Sequence, residues 1–178
     1  MKIGVFGGTF DPIHIGHIIS VLEVKIAFGL DRVIFIPARQ SPHKETMPTG
    51  NEERTAMIQK AIAGYEGFSM DTFELDRYGK SFTYDTAKYL KDEYPDDELY
   101  FLMGTDQYES FDKWYRNEEL IDMMNFIVMM RHSDDMEISA PFIRADQLVV
   151  EVSASLVRRR AKEGLPYKHF LNEAVYEY

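Results

Sequence analysis

Apolar residues come in short, dense runs along this chain, at Lys2–Phe6, Arg32–Ile36, Phe68–Leu75, Leu99–Met103, Phe126–Met130 and Leu148–Val152. Each run has strand length, and most are too continuous for a strand with one wet face, which predicts strands buried on both sides. Between them the spacing shifts to that of helices. Ile18–Phe28 is strongly apolar and stops at Gly29, a residue suited to ending a helix. Asn51–Ala63 places Ala56, Ile58, Ile62 and Ala63 within helical reach of one another and ends at Gly64. Thr83 is positioned to cap a helix through Tyr94 that Pro95 stops. Strands alternating with helices predict an α/β fold, an open and mainly parallel twisted sheet with helices on both faces.

Size changes this picture little. A chain of 178 residues holds one full core, so the expectation is a single domain over 1–178 with a small helical portion from about residue 153. The 45% hydrophobic and 28% charged residues are those of an ordinary globular protein. No apolar run approaches the roughly 20 residues that a membrane span needs, and no secretion signal opens the chain. No membrane partner is therefore expected, and a cytoplasmic location is. With no cysteine, disulfides and thiolate metal sites are excluded.

Charge narrows the choice of ligand. A formal net charge of −10 argues against nucleic acid as a partner, because phosphate backbones are gripped by clustered Lys and Arg. A small phosphorylated ligand stays open, held by local islands of basic residues, of which Lys44 and Arg158-Arg159-Arg160 are visible. In parallel sheets ligands bind beyond the carboxyl ends of strands, where strand order reverses. Gly7-Gly8, the long Pro37–Gly50 loop, Gly104-Thr105-Asp106, Arg131 and Ser153 all follow predicted strands, so one site could gather them.

The densest signal is Gly7-Gly8-Thr9-Phe10-Asp11-Pro12-Ile13-His14-Ile15-Gly16-His17, directly after the first strand. Glycines without a Cβ let an anion approach the backbone and accept positive φ, and the next helix offers free N–H groups. Three residues apart, His14 and His17 share a face if both are helical, or straddle the loop-to-helix junction. Phosphate binding is the favoured reading. A metal pair without a third ligand and a purely structural pair are the alternatives.

These residues resemble the signature of the nucleotidyltransferases that carry an HxGH motif, and Ser153-Ala154-Ser155-Leu156-Val157-Arg158 is similar to their second signature, written SSTxIR. Within that superfamily the chain is most similar to the bacterial nicotinate-nucleotide adenylyltransferases. Ser41-Pro42-His43-Lys44, then Glu74–Arg77 with Gly79, Ser81, Phe82, Thr83, Asp85 and Thr86, and finally Gly104-Thr105-Asp106 with Trp114 support that placement. Three positions depart from the pattern: Ser41 for a proline, Ala154 for a serine, and His132 for the proline of an Arg-Pro pair.

The resemblance implies a Rossmann-like nucleotidyltransferase fold and transfer of AMP from ATP to nicotinate mononucleotide, giving deamido-NAD and pyrophosphate in NAD biosynthesis. It implies His14, His17, Lys44 and Arg158 as catalytic residues. ATP is expected at Gly7, Gly8, Thr9, Phe10, His17, Gly104, Asp106, Ser153, Ser155 and Arg158. The mononucleotide is expected at Lys44, Thr83, Tyr84, Asp106, Trp114 and Arg131. Thr83 and Tyr84 would offer backbone N–H groups to the nicotinate carboxylate, and Trp114, the one tryptophan, would stack on the pyridine ring rather than merely pack. Mg²⁺ is expected with ATP, without a dedicated protein cage, and a homodimer is admitted. Rival readings are phosphopantetheine or nicotinamide mononucleotide adenylyltransferase, and a nucleotide-binding regulator with a disabled site.

Overall fold

The computed structural model describes residues 1–39, 49–77, 82–131, 136–146 and 152–178. Six strands, β1 (Lys2–Gly8), β2 (Arg32–Pro37), β3 (Phe68–Met70), β4 (Glu98–Gly104), β5 (Asn125–Met129) and β6 (Ile143–Ala145), form one sheet in the order 3-2-1-4-5-6. Every described pairing is parallel. Helices α1 (Ile15–Phe28), α2 (Asn51–Ile62), α3 (Thr83–Glu93), α4 (Thr105–Glu109), α5 (Asn117–Met123), α6 (Ala154–Glu163) and α7 (Glu173–Glu177) fill the connections and the C-terminal portion.

The unbroken apolar runs are explained by two cores. Ile3 and Val5 of β1, Ile34 and Ile36 of β2, Leu99, Phe101 and Met103 of β4, and Phe126 and Val128 of β5 point to one face, against Ala87 and Leu90 of α3 and Leu120 of α5. The alternate positions Phe6, Val33, Phe35, Leu102 and Ile127 point to the other, against Ile18, Val21 and Val24 of α1 and Ile58, Ala61 and Ile62 of α2. A period of two inside each strand therefore feeds both layers, as a sheet covered on both faces requires. Gly4 is needed on the α1 side: a Cβ there would sit 2.9 Å from Leu30 Cδ1.

Some boundaries differ from the sequence expectation. The third strand ends at Met70 instead of Leu75, because Asp71 Oδ1 accepts the Phe73 N–H at 2.9 Å and folds the chain into a turn. The sixth strand is Ile143–Ala145, beside β5; of the expected Leu148–Val152 only Val152 is described, and it is not in a strand. Thr83 is the first helical residue and not the cap, a place taken by Phe82 in extended conformation. Helix α1 begins at Ile15, three residues earlier than its apolar pattern, because His14 is its N-cap.

Candidate active site

Strand order reverses between β1 and β4, and the carboxyl ends of these two strands frame the candidate site. Gly7 and Gly8 are the last residues of β1, paired with Ile36 and Pro37 of β2. Neither has positive φ, which corrects the expected reason for two glycines. The left-handed turn falls on Phe10 instead, at φ 51°, so that its ring tucks back beneath the strand end. A Cβ on Gly8 would meet that ring at 3.3 Å. Glycine here makes room for Phe10 and leaves backbone bare.

The turn delivers His14 and His17 to the start of α1, straddling cap and first turn. The His14 backbone N–H donates to His17 Nδ1 at 3.1 Å, and the two rings stack with centroids 3.7 Å apart. An imidazole that accepts through Nδ1 while neutral carries its proton on Nε2. His17 thus presents a fixed Nε2–H donor, held by edge contacts to Phe6 and Phe10. Burial pushes the His14 pKa down to about 4, and burial with the neighbouring His14 lowers that of His17 well below the usual histidine range. In both rings burial favours the neutral form. His14 Nδ1 is buried without a hydrogen-bond partner among the described residues, a group that bound ligand or water would satisfy.

The second signature arrives from the far end of the chain. Ser153 caps α6 by accepting the Leu156 N–H at 3.1 Å, and Arg158, one turn on, donates to the Asp11 carbonyl and to Ser155 Oγ. The expected residues Thr9, His14, His17, Ser155 and Arg158 therefore meet around the β1–α1 turn. Arg158 is exposed there.

On the β4 side, Gly104 caps α4, with its N–H held by Gln107 Oε1 at 3.0 Å, and Asp106 is exposed on the first turn. Asp106 pairs with Arg131 beyond β5 at 3.8 Å, two residues expected at the same ligand. Farther out, the N–H groups of Thr83 and Tyr84 open α3 and find no acceptor among the described residues. Tyr84 Oη takes a hydrogen bond from Arg116 at 2.9 Å, and the Arg116 guanidinium lies over the rings of Tyr84 and Tyr115. Trp114 is 8% exposed, edge-on to Phe101, so packing accounts for most of its surface. Lys44, like Ser41, His43, Gly79, Ser81 and His132, lies outside the described residues. Among the described residues no three His, Asp or Glu side chains gather as a metal site.

The sequence is related to known proteins over almost its whole length. The cytidylyltransferase-like family matches residues 5–160. A nicotinate-nucleotide adenylyltransferase of Bacillus subtilis is 38% identical over 178 residues, covering 99% of this chain and 94% of the relative. The chain belongs to the nicotinate-nucleotide adenylyltransferase family. A Geobacillus thermodenitrificans protein, named a probable nicotinate-nucleotide adenylyltransferase, is 41% identical over 98% of this chain and 81% of its own length. The fold is that of the Plasmodium falciparum nicotinic acid mononucleotide adenylyltransferase solved with NaAD, with a TM-score of 0.75 at 20% identity over 99% of this chain and 93% of that one.

Within this nucleotidyltransferase enzyme, Arg54 escaped the sequence reading, and Asp11 was read only as part of the first signature. Arg54 on α2 is fully buried and donates to the Thr9, Ala38 and Thr49 carbonyls and to Asn51 Oδ1. Asp11 accepts the Thr49 N–H at 3.0 Å. A lone arginine among the charges of Asn51–Lys60 looks like a wet helix face, and only its 45-residue jump to Thr9 reveals it.

Proposed function

We propose that this chain transfers AMP from ATP to nicotinate mononucleotide. A phosphate oxygen of the mononucleotide attacks Pα of ATP, the bond from Pα to the oxygen bridging it to Pβ breaks, and the electron pair leaves on that oxygen with pyrophosphate. The attacker needs no general base, because a phosphate monoester with its second pKa near 6 is already largely a dianion at neutral pH. What remains for the protein is to hold two anions in line and to stabilise charge as it moves to the leaving group.

The observation that carries this reading is the stacked pair His14 and His17 at the mouth of β1, with the oriented Nε2–H of His17 and with Arg158 brought alongside from α6. In this reading Gly7, Gly8, Thr9, His17, Ser155 and Arg158 receive the triphosphate. Ser153 spends its oxygen lone pair on the helix and keeps its hydroxyl proton to donate. Neutral imidazoles still donate N–H hydrogen bonds to phosphate oxygens. Gly104 and Asp106 would hold the nucleotide ribose. Mg²⁺, when present, would ride on the triphosphate and neutralise it.

For the acceptor, the free N–H groups of Thr83 and Tyr84 would receive the nicotinate carboxylate at the N-terminus of an 11-residue helix. Arg131, Lys44 and the remaining exposed part of Trp114 would complete that side. A cytoplasmic setting fits this chemistry. Pyrophosphate release with ATP and each of nicotinate mononucleotide, nicotinamide mononucleotide and phosphopantetheine tests the proposal. Release with the first far above the other two is expected. Release only with phosphopantetheine, or ATP binding without any release, would overturn it.

A further inference from the structure

We infer that Arg54 is a positioning residue for the triphosphate site, an inference that rests on the phosphate-binding reading of the β1–α1 turn. Its guanidinium donates through Nε to the Thr49 carbonyl at 2.8 Å, through Nη1 to the Thr9 carbonyl at 2.8 Å and the Ala38 carbonyl at 2.6 Å, and through Nη2 to Asn51 Oδ1 at 3.0 Å. Three of these acceptors are backbone groups on separate pieces of chain. Thr9 belongs to the first signature, Ala38 follows β2, and Thr49 precedes α2. Ala38 and Thr49 are the two ends of the connection whose sequence contains Lys44.

One side chain thus ties the base of that connection to the strand end that faces phosphate. Thr49 is held again from the other direction, its N–H donating to Asp11 Oδ2, while the Asp11 carbonyl accepts Arg158. Arg54, Thr49, Asp11 and Arg158 form a continuous chain of hydrogen bonds linking both signatures. A planar fork with five N–H donors fills four acceptors in fixed directions. Lysine has at most three donors around a point and cannot reproduce that geometry. All four acceptors are neutral, so the guanidinium charge is solvated by dipoles, with the Asp11 carboxylate acting on it through space and not by a hydrogen bond. Arg54 does not touch substrate in this arrangement; it acts through Thr9 and the strand end.

The test uses Arg54→Lys, Arg54→Ala and Asn51→Ala, the last keeping the guanidinium and removing one acceptor. ATP affinity is measured by calorimetry, independently of any acceptor, on protein shown to be folded by circular dichroism, and turnover is measured alongside. Folded Arg54→Lys is expected to bind ATP at least about 10-fold more weakly and to lose about 100-fold in kcat/KM, the scale of a catalytic group displaced by about 1 Å. Asn51→Ala is expected to lose about 2- to 5-fold in both. Millimolar guanidinium chloride should restore part of the Arg54→Ala loss, and equal sodium chloride should not. ATP affinity within 2-fold of wild type in folded Arg54→Lys, or in Asn51→Ala if neither Arg54 variant folds, would overturn the inference. If the wild-type protein binds ATP but spares nicotinate mononucleotide, the acceptor reading fails while the Arg54 comparison still stands on ATP affinity.

Discussion

At the residue scale the decisive group is a neutral imidazole with an assigned proton. His17 accepts from the His14 backbone and so keeps its proton on Nε2; in the proposed reaction its loss removes one preorganised hydrogen bond to a developing charge. His17→Ala should remain folded and lower kcat by at least about 100-fold in a pyrophosphate-release assay. Near-normal turnover would place the chemistry elsewhere. Its neighbour makes a separate prediction about stability. The His14 pKa is about 4 in the folded chain and about 6.5 unfolded, so between those values the unfolded chain binds more protons. The stabilising contribution is complete above pH 6.5 and is lost as pH falls towards 4. Urea unfolding at pH 7 and pH 4.5 should show wild type losing about 2.5 kcal/mol more than His14→Gln. Equal losses in both proteins would contradict the burial of that ring.

At the element scale, α6 works as a rigid arm for Arg158. Its N-cap Ser153 is exposed but bonded to the Leu156 N–H, and Gly164 closes the far end in the left-handed conformation at φ 73°. Ser153→Ala should cost about 1 kcal/mol in urea unfolding, the usual worth of an N-cap, and should also raise the KM for ATP as the first turn frays and Arg158 drifts from Asp11. A stability loss with unchanged KM would show that α6 serves the fold alone. Helix α1 shows the converse arrangement. It carries His17 on its first turn and gives its apolar side, Ile18, Val21 and Val24, to the core, so His17 moves only if the core moves.

For the whole molecule, the sheet reverses its winding between β1 and β4, the place where parallel sheets offer both halves to one ligand. A product with an adenylate at one half and a pyridine at the other must engage both. Saturating deamido-NAD at about 100 times its Kd should add about 2.7 kcal/mol to the unfolding free energy. Amide exchange should then slow in both 7–17 and 104–116. Protection confined to one of these segments would show that the two halves do not share one ligand.

Much of the architecture is encoded locally. Apolar runs without gaps announced a doubly covered sheet, because a strand buried on both faces has no position for a polar residue. The Gly7–His17 and Ser153–Arg158 segments were legible as resemblances to the two signatures of the nucleotidyltransferases. Local pattern misled where one side chain outweighed it: Asp71 turned the chain and ended β3, and Phe10 took the left-handed turn expected of glycine.

The sequence by itself determined the class of fold, the two signatures and the family to which the chain belongs, since each is carried by residue types and their order along the chain. Only the tertiary structure decided that burial pushes His14 and His17 towards the neutral form, that Asp106 is paired with Arg131, that Trp114 is mostly packed, and that Arg54 is a buried tie between the Thr9, Ala38 and Thr49 carbonyls. Protonation and partnership depend on what surrounds a side chain, and here those surroundings are assembled from segments up to 147 residues apart.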